Sequence, residues 1–147
     1  MRHHGGCHCG AITIDYESAL APEETEVRAC LCSFCRKHGS RAVSDPQGKL
    51  TLTIHDEDAV ERYRFGLATA DYVLCARCGV YLAAVLTDDD NLYGIAIVNA
   101  LDDAARFTQP PKPADYSAED AAARRRRRRT RWTPTEIVER SPSPSSV

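Results

Sequence analysis

Cys7-His8-Cys9-Gly10 and Cys75-Ala76-Arg77-Cys78-Gly79 decide the fold, because each places two cysteines close together just before a glycine. Cysteines at this spacing turn both sulfurs toward one point, as a metal ion requires, and the glycine tolerates the backbone angles of the turn. A disulfide between such close neighbours would close almost no loop and add little stability. Zinc is the metal that this pattern favours, since no haem motif accompanies it.

A third cluster places three more cysteines in the segment Cys30-Leu31-Cys32-Ser33-Phe34-Cys35. The seven cysteines therefore divide as four plus three. Four thiolates make a closed tetrahedral site, which is the structural type of zinc site. Three ligands leave a position open to water or substrate, which is the catalytic type. The alternative is a middle site completed by His8 or His38.

The 147 residues are enough for one domain with a modest core. The chain runs from Met1 into the first cysteine pair without an apolar leader, and no apolar run is long enough to cross a membrane. We therefore expect no membrane partner and a reducing, cytoplasmic location. In that compartment the cysteines are thiolates on metal or free thiols.

Positive charge is concentrated near the end of the chain. The net charge is −2, yet seven arginines lie at Arg124–Arg129 and Arg131, so the rest of the chain is acidic. Consecutive arginines point to all sides of a helix. A nucleic-acid reader carries its positive charge across a folded face, so nucleic acid is not the expected partner. A solvated helix, or one docked on the acidic body, is the favoured interpretation.

Most of the chain is predicted to form short β-strands. Apolar and polar residues alternate at 12–17 and again at 50–54, which is the pattern of half-buried strands. Between turn signals, further strands are predicted at 27–31, 63–65, 72–75, 80–87 and 92–101. Strands at this spacing predict a mainly β domain of small antiparallel sheets.

The composition changes after Leu101, and we divide the chain into a zinc-binding domain at 1–108 and an extension at 109–147. The extension is predicted to contain a proline linker, an arginine-rich helix and a disordered tail. The helix is expected to begin near Ser117-Ala118-Glu119-Asp120 and to end at about Trp132.

Two outcomes are open for this extension. Because both metal clusters precede Leu101, truncation after Pro111 is expected to leave a folded, zinc-bearing domain. In the alternative, Trp132 and the helix pack back on the body and cover an apolar patch.

Three segments taken together resemble one known family. Gly5-Gly6-Cys7-His8-Cys9-Gly10-Ala11, the C-x-C-x-x-C run followed by Arg36-Lys37, and the late Cys-x-x-Cys-Gly are similar to the glutathione-dependent formaldehyde-activating enzymes, a family that includes centromere protein V. The resemblance covers about residues 5–101 and implies a β-tent fold of small antiparallel sheets held by zinc. It also implies two zinc ions, one structural on Cys7, Cys9, Cys75 and Cys78, and one more labile on Cys30, Cys32 and Cys35.

The resemblance further implies a carbon–sulfur lyase that condenses glutathione with formaldehyde, with a small-molecule thiol and aldehyde as its partners. The catalytic residues are then Cys30, Cys32 and Cys35. The nearest cations for the carboxylates of glutathione are Arg36, Lys37 and Arg41, for which solvated surface is an equal alternative. His38 is a candidate proton carrier, although a surface role is more typical.

The sequence departs from the family pattern beside the open site. His38 replaces a common Ser or Thr, and residues 40–46 read Ser-Arg-Ala-Val-Ser-Asp-Pro where relatives are often apolar or aromatic. The alternative function is a non-catalytic, zinc-stabilised binding module that contacts nucleic acid or an acidic protein through the arginine helix. His3 and His4 are expected to be exposed, as terminal residues usually are.

Overall fold

The computed structural model describes residues 1–140, so the predicted disordered tail lies outside the described residues. The strands are β1 (Arg2–Gly6), β2 (Ile12–Glu17), β3 (Arg28–Cys30), β4 (Ala42–Val43), β5 (Lys49–Ile54), β6 (Val60–Tyr63), β7 (Asp71–Cys75), β8 (Tyr81–Asp88), β9 (Asn91–Ile97), β10 (Lys112–Ala114) and β11 (Thr133–Glu139). The α-helices are α1 (Ser33–His38) and α2 (Ala121–Arg131). The 3₁₀ helices are Pro22–Glu24, Glu57–Ala59, Val98–Ala100 and Ala104–Arg106. None of the described helices is long and apolar enough to span a membrane.

The two clearest alternating segments form neighbouring strands of one sheet. β2 pairs antiparallel with β5, and Ile14 lies opposite Leu52. β1 continues this group by pairing antiparallel with β2. The apolar residues of both segments are buried while the threonines between them are partly exposed, as period-two alternation requires. The prediction of half-buried strands at 12–17 and 50–54 is confirmed.

A second group of strands carries the rest of the core. β6, β7, β8 and β9 pair antiparallel in chain order. β9 also pairs with β4, β4 pairs with β3, and β3 pairs with β10. β8 is buried along most of its length, since neighbouring strands pack on both of its edges. The mainly β architecture predicted from the sequence is therefore confirmed.

The C-terminal strand β11 joins the two groups. Its first residues, Thr133 and Pro134, pair antiparallel with β9. Its later residues run parallel to β5, with Ile137 opposite Leu52. The sheet is therefore mixed, and β10 is likewise parallel to β3. The domain boundary at 108 stays a prediction. Two strands that follow it, β10 and β11, pair with strands that precede it.

The arginine-rich helix is present and docked. Asp120 caps α2 by accepting a hydrogen bond from the Ala123 backbone N–H at 2.8 Å, three residues later than the start of the predicted cap. The helix ends at Arg131. The next residue, Trp132, is only 4% exposed and packs in a small cluster with Ala84 and Leu86. The alternative in which the helix packs back on the body is therefore the one that the structure contains.

Candidate metal centres

The four-cysteine site unites the two outer clusters. Cys7 and Cys9 lie in the turn between β1 and β2, while Cys75 ends β7 and Cys78 follows in the next turn. Their four sulfurs lie within 4.8 Å of one another. The predicted glycines follow each pair, with φ of +81° at Gly10 and +80° at Gly79. Only glycine adopts such angles without strain, so each turn can close behind its sulfurs.

The spacing of these sulfurs fits a tetrahedral zinc ion. Cys9 Sγ lies 3.7 Å from Cys7 Sγ and 3.5 Å from Cys75 Sγ. Two thiolates bound about 2.3 Å from one zinc at the tetrahedral angle are separated by roughly 3.8 Å. The Ile12 backbone N–H, 3.4 Å from Cys7 Sγ, also points at the cluster. The donor set and its spacing therefore fit zinc.

The thiols of this site differ in pKa. Burial raises the pKa of Cys7 to about 12. Burial also opposes ionisation of Cys78, but backbone N–H donors led by that of Val80 and hydrogen bonds from neighbouring thiols lower its pKa to about 6. A thiolate beside protonated neighbours is the starting state from which a divalent cation displaces the remaining protons.

The three-cysteine cluster lies where β3 meets α1. Cys30 ends β3, Cys32 caps α1, and Cys35 lies one turn into the helix and is buried. Cys32 Sγ accepts the Cys35 backbone N–H at 3.4 Å, so one sulfur both starts the helix and faces the cluster. The C-terminal extension also holds this segment, because the Leu31 backbone N–H donates to the Ala114 carbonyl at 3.0 Å.

The three sulfurs of this cluster also lie within 4.8 Å of one another. Hydrogen bonds led by that of the Cys35 thiol lower the pKa of Cys30 to about 5. The same hydrogen bond raises the pKa of Cys35, which must keep its proton to donate it. Neither His8 nor His38 belongs to this group among residues 1–140. The donor set is three thiols, which fits zinc with an open position.

A cavity opens on this cluster. Its volume is about 160 Å³, and the residues that line it from the first part of the chain are Cys30, Leu31, Cys32, Phe65 and Tyr72. The other lining residues belong to the C-terminal extension and are Asp115, Tyr116, Ser117, Arg124 and Arg128. A smaller cavity of about 50 Å³ is lined by Cys30 and Cys35 and shares Tyr72, Tyr116 and Arg128. The extension therefore covers the open cluster.

The predicted site residues that lie outside this cavity sit around α1. Arg36 and Lys37 are exposed, and neither they nor Arg41 lines the cavity on the cluster. The Arg41 backbone N–H donates to Asn99 Oδ1 at 2.9 Å. His38 is exposed and packs its ring 4.6 Å from that of Phe34, centroid to centroid.

The N-terminal histidines differ from each other. His4 is exposed, as expected, and its Nδ1 lies 3.0 Å from Asp15 Oδ1. The expectation for His3 was wrong, because its side chain is only 1% exposed. Its Nδ1 lies 2.7 Å from Asp103 Oδ2, and its ring packs on Phe107. β1 carries this residue inward, an element that the sequence pattern did not predict.

Sequence reasoning also missed the residues of the extension that line the cavity. Tyr116, Arg124 and Arg128 lie in the part of the chain that we separated from the domain. The available signal was the spacing of Arg124, Arg128 and Trp132, which puts three side chains at four-residue intervals on one helix face. The continuous arginine run masked that spacing, since every face of the helix carries an arginine.

The fold and the two cysteine clusters define a β protein whose thiols could hold two metal ions. Residues 2–117 match the family described as glutathione-dependent formaldehyde-activating enzyme. The chain belongs to this family, as its three cysteine segments indicated. It is also similar to a Rhodobacter sphaeroides protein, a structural genomics target known from a crystal structure. The TM-score is 0.53 at 28% identity, over 75% of this chain and 97% of that one.

Proposed function

We propose that this protein forms or cleaves adducts between a thiol and an aldehyde at the three-cysteine cluster, as a carbon–sulfur lyase of the formaldehyde-activating type. The observation that carries the proposal is three converging sulfurs beside a cavity of about 160 Å³. Three ligands with space for a fourth are typical of catalytic zinc sites, whereas four thiolates are typical of structural ones. Membership of the family supports the same type of reaction.

The reaction needs no oxidant or reductant. In the direction of adduct formation, the thiol sulfur bonds to the carbonyl carbon, the C=O π bond breaks, and the thiol proton ends on the carbonyl oxygen. A zinc ion held by Cys30, Cys32 and Cys35 would supply a lowered thiol pKa and a polarised carbonyl. Phe65 and Tyr72 wall the cavity beside these ligands. They limit the access of water and hold the two reactants close together.

Glutathione and formaldehyde are the proposed substrates. A site that buries a whole drug-sized ligand measures roughly 300–1,000 Å³, so only the thiol end of glutathione fits a cavity of about 160 Å³. The rest of the tripeptide would lie at the cavity mouth. Arg36, Lys37 and Arg41 stay the proposed contacts for its carboxylates there, because Arg36 and Lys37 are exposed on α1.

The alternative of a nucleic-acid-binding module has less support. Arg127 pairs with Glu119 at 2.8 Å, and Arg129 pairs with Asp88 at 3.2 Å. Arg128 is buried. Two of these cations are paired within the chain and the third is buried, so we propose a small-molecule partner and no nucleic acid. A reducing compartment such as the cytoplasm is the proposed location, because it keeps the free cysteines as thiols.

Exchange NMR on the zinc-loaded full chain tests this function. The protein is expected to accelerate exchange between free glutathione and S-(hydroxymethyl)glutathione in a mixture with formaldehyde. Cys32→Ser is expected to abolish the acceleration, and Ser33→Ala, at an exposed position next to it, to preserve it. No acceleration by a protein that carries both zinc ions would overturn the proposal.

A further inference from the structure

Arg128 is a buried cation without a carboxylate partner in the part of the chain that the structure describes. It is 5% exposed, and no ion pair among residues 1–140 includes it. Its Nη1 donates to Thr69 Oγ1 at 2.7 Å and its Nη2 to the Tyr72 hydroxyl at 3.5 Å. The guanidinium also lies 4.6 Å from the ring centroid of Trp132. All these direct partners are neutral, so none of them carries a charge opposite to that of the guanidinium.

One donor of this guanidinium has no partner. Arg128 Nε is buried and makes no hydrogen bond in the described structure. An unpaired, charged donor in a buried position is costly, and such groups are found paired or ligated. Arg128 lines both cavities on the three-cysteine cluster. The free donor and the free charge therefore belong to a side chain that faces the space where a ligand would bind.

A second arginine lies one helical turn away on the same face. Arg124 lines the larger cavity, and its Nη2 donates to the Tyr116 carbonyl at 2.8 Å. Glu119 lies 3.4 Å from Arg124 Nε but makes its closer bonds to Arg127, at 2.8 and 3.0 Å. The Glu119 carboxylate therefore pairs with both Arg124 and Arg127. No carboxylate among residues 1–140 pairs with Arg128, so a carboxylate for it would have to come from a ligand.

We infer that Arg128, supported by Arg124, binds a carboxylate of the molecule that occupies the cavity on the three-cysteine cluster, and so selects compact carboxylate-bearing thiols or aldehydes over neutral ones. This inference rests on the proposed function for its site and its reaction, and it replaces glutathione or formaldehyde by a compact acid as one of the two reactants. Guanidinium is the side-chain group best matched to a carboxylate. The volume of about 160 Å³ restricts the buried part of the ligand to a few heavy atoms beside that carboxylate.

This selectivity is a feature of the C-terminal extension. The match to the family ends at residue 117, and α2 begins at Ala121. The cysteines come from the matched segment, whereas the arginines that would read the ligand come from the helix that follows it. The reacting site and its selectivity therefore have separate origins in the chain.

The test compares ligands of similar size that carry either a carboxylate or a neutral amide. Zinc-loaded full chain is titrated with mercaptoacetate and with mercaptoacetamide, and in parallel with glyoxylate and glyoxylamide. Binding is followed by the fluorescence of Trp132, the single tryptophan of the chain, and by calorimetry. The carboxylate ligand of at least one pair is expected to bind about tenfold to a hundredfold more tightly than its amide. The pair that shows the preference identifies the thiol or the aldehyde as the anionic reactant.

Variants separate recognition from folding. Arg128→Gln is expected to remove the preference while leaving amide affinity nearly unchanged, whereas loss of packing would weaken both ligands equally. Arg126→Gln is the matched control, since it removes one exposed charge from the same helix. Where Arg128→Gln fails to fold, Arg124→Gln is measured and is expected to reduce the preference.

Equal affinity for the carboxylate and the amide in both ligand pairs overturns the inference. An equal loss of affinity for the carboxylate and the amide in Arg128→Gln overturns it too. The inference and the proposed function fail separately. Adduct formation without a carboxylate preference removes the inference alone, while a carboxylate preference without adduct formation removes the proposed function alone.

Discussion

The two cysteine clusters use the same ligand chemistry but connect different parts of the molecule. In the four-cysteine site, Cys9 and Cys75 are 66 residues apart in sequence and 3.5 Å apart at their sulfurs. In the three-cysteine cluster, all ligands come from Cys30–Cys35, while the cavity beside them is walled by residues of the C-terminal extension. A metal that joins distant segments supplies folding free energy, whereas we expect one held by a single short segment to contribute less to the stability of the fold.

The largest expected effect follows from breaking the four-cysteine site. Cys78→Ser removes a ligand from a closed site whose zinc contributes of order 10 kcal/mol, which is comparable to the stability of a whole domain. The variant is expected to be unfolded or insoluble. Circular dichroism and thermal unfolding of any soluble fraction measure this.

Cys32→Ser is the matched substitution in the other cluster. It is expected to fold cooperatively, to bind one zinc fewer and to lose adduct activity, because its ligands are already adjacent in one segment. A folded and active Cys78→Ser beside an unfolded Cys32→Ser would reverse the assignment of the two clusters. Collapse of both variants would indicate one shared role in folding.

Truncation after Pro111 is expected to have the next largest effect on the stability of the fold. It removes β11, which lies between β5 and β9, and exposes the cluster containing Ala84 and Leu86. We now expect aggregation or a loss of more than about 5 kcal/mol, the lower end of ordinary domain stability. This reverses the expectation from sequence that the truncated protein would fold.

The control for that truncation ends the chain after Arg140. It keeps every described strand and is expected to unfold at the temperature of the full chain. Circular dichroism during heating compares the unfolding temperatures of the two shortened proteins with that of the full chain. Circular dichroism during chemical denaturation compares their unfolding midpoints. A shortened protein ending at Pro111 that unfolds cooperatively at the full-chain midpoint would contradict the role of β11.

Removal of the metal is expected to have a smaller effect on the fold and to distinguish the two clusters by the order in which they lose zinc. The protein is expected to bind close to two zinc ions per chain, one for each cysteine group. A mild chelator should remove the ion of the three-cysteine cluster first, since three ligands hold zinc less completely than four. Zinc analysis and thermal unfolding after dialysis measure both steps. Loss of the fold together with the first zinc would contradict this order.

The smallest expected effect concerns the docking of α2 over the three-cysteine cluster. The Arg127 hydrogen bonds lower the pKa of Glu119 below its ordinary value of 4.5. A depressed carboxyl pKa stabilises the folded state above the unfolded-state value and loses that contribution as the pH falls through the folded-state value. Glu119→Gln is therefore expected to cost about 1 kcal/mol at neutral pH and almost nothing once the pH falls well below 4.

Glu136→Gln provides the control. Its ion pair with Lys49 is 3.5 Å long and about half exposed on both sides, so its removal should change stability very little. Thermal unfolding of both variants at neutral and acidic pH gives the comparison. An equal cost for Glu119→Gln at both pH values would show that charge pairing does not hold the helix.

Sequence patterns predicted the local elements and not the long-range pairings. The strands at 12–17 and 50–54 were predictable because each shows its own alternation over six and five residues. β11 was missed because its sequence, Thr133-Pro134-Thr135-Glu136-Ile137-Val138-Glu139, begins with a proline dipeptide and lacks a flanking hairpin turn. Its stability comes from pairing with β5, more than 80 residues away. α1 was missed because it is only six residues long.

The candidate site divides in the same way. The grouping of Cys7 with Cys75, and of Cys30 with Cys32 and Cys35, was predictable from ligand spacing and count. The cavity was not, because Arg128 reaches it only after β10 and β11 have brought the extension back over the cluster. Arg36 and Lys37 are close to the ligands in sequence, yet neither lines that cavity.

The sequence by itself determined which sulfurs could share a metal ion, because cysteines two or three residues apart can turn their sulfurs toward a common centre within one short turn. The tertiary structure alone decided what surrounds the open cluster. The distance from Cys32 to Arg128 along the chain carries no information about their distance in space until β11 pairs with β5 and β9. The spacing within each cysteine pair is local, whereas the surroundings of the three-cysteine cluster are assembled from remote parts of the chain.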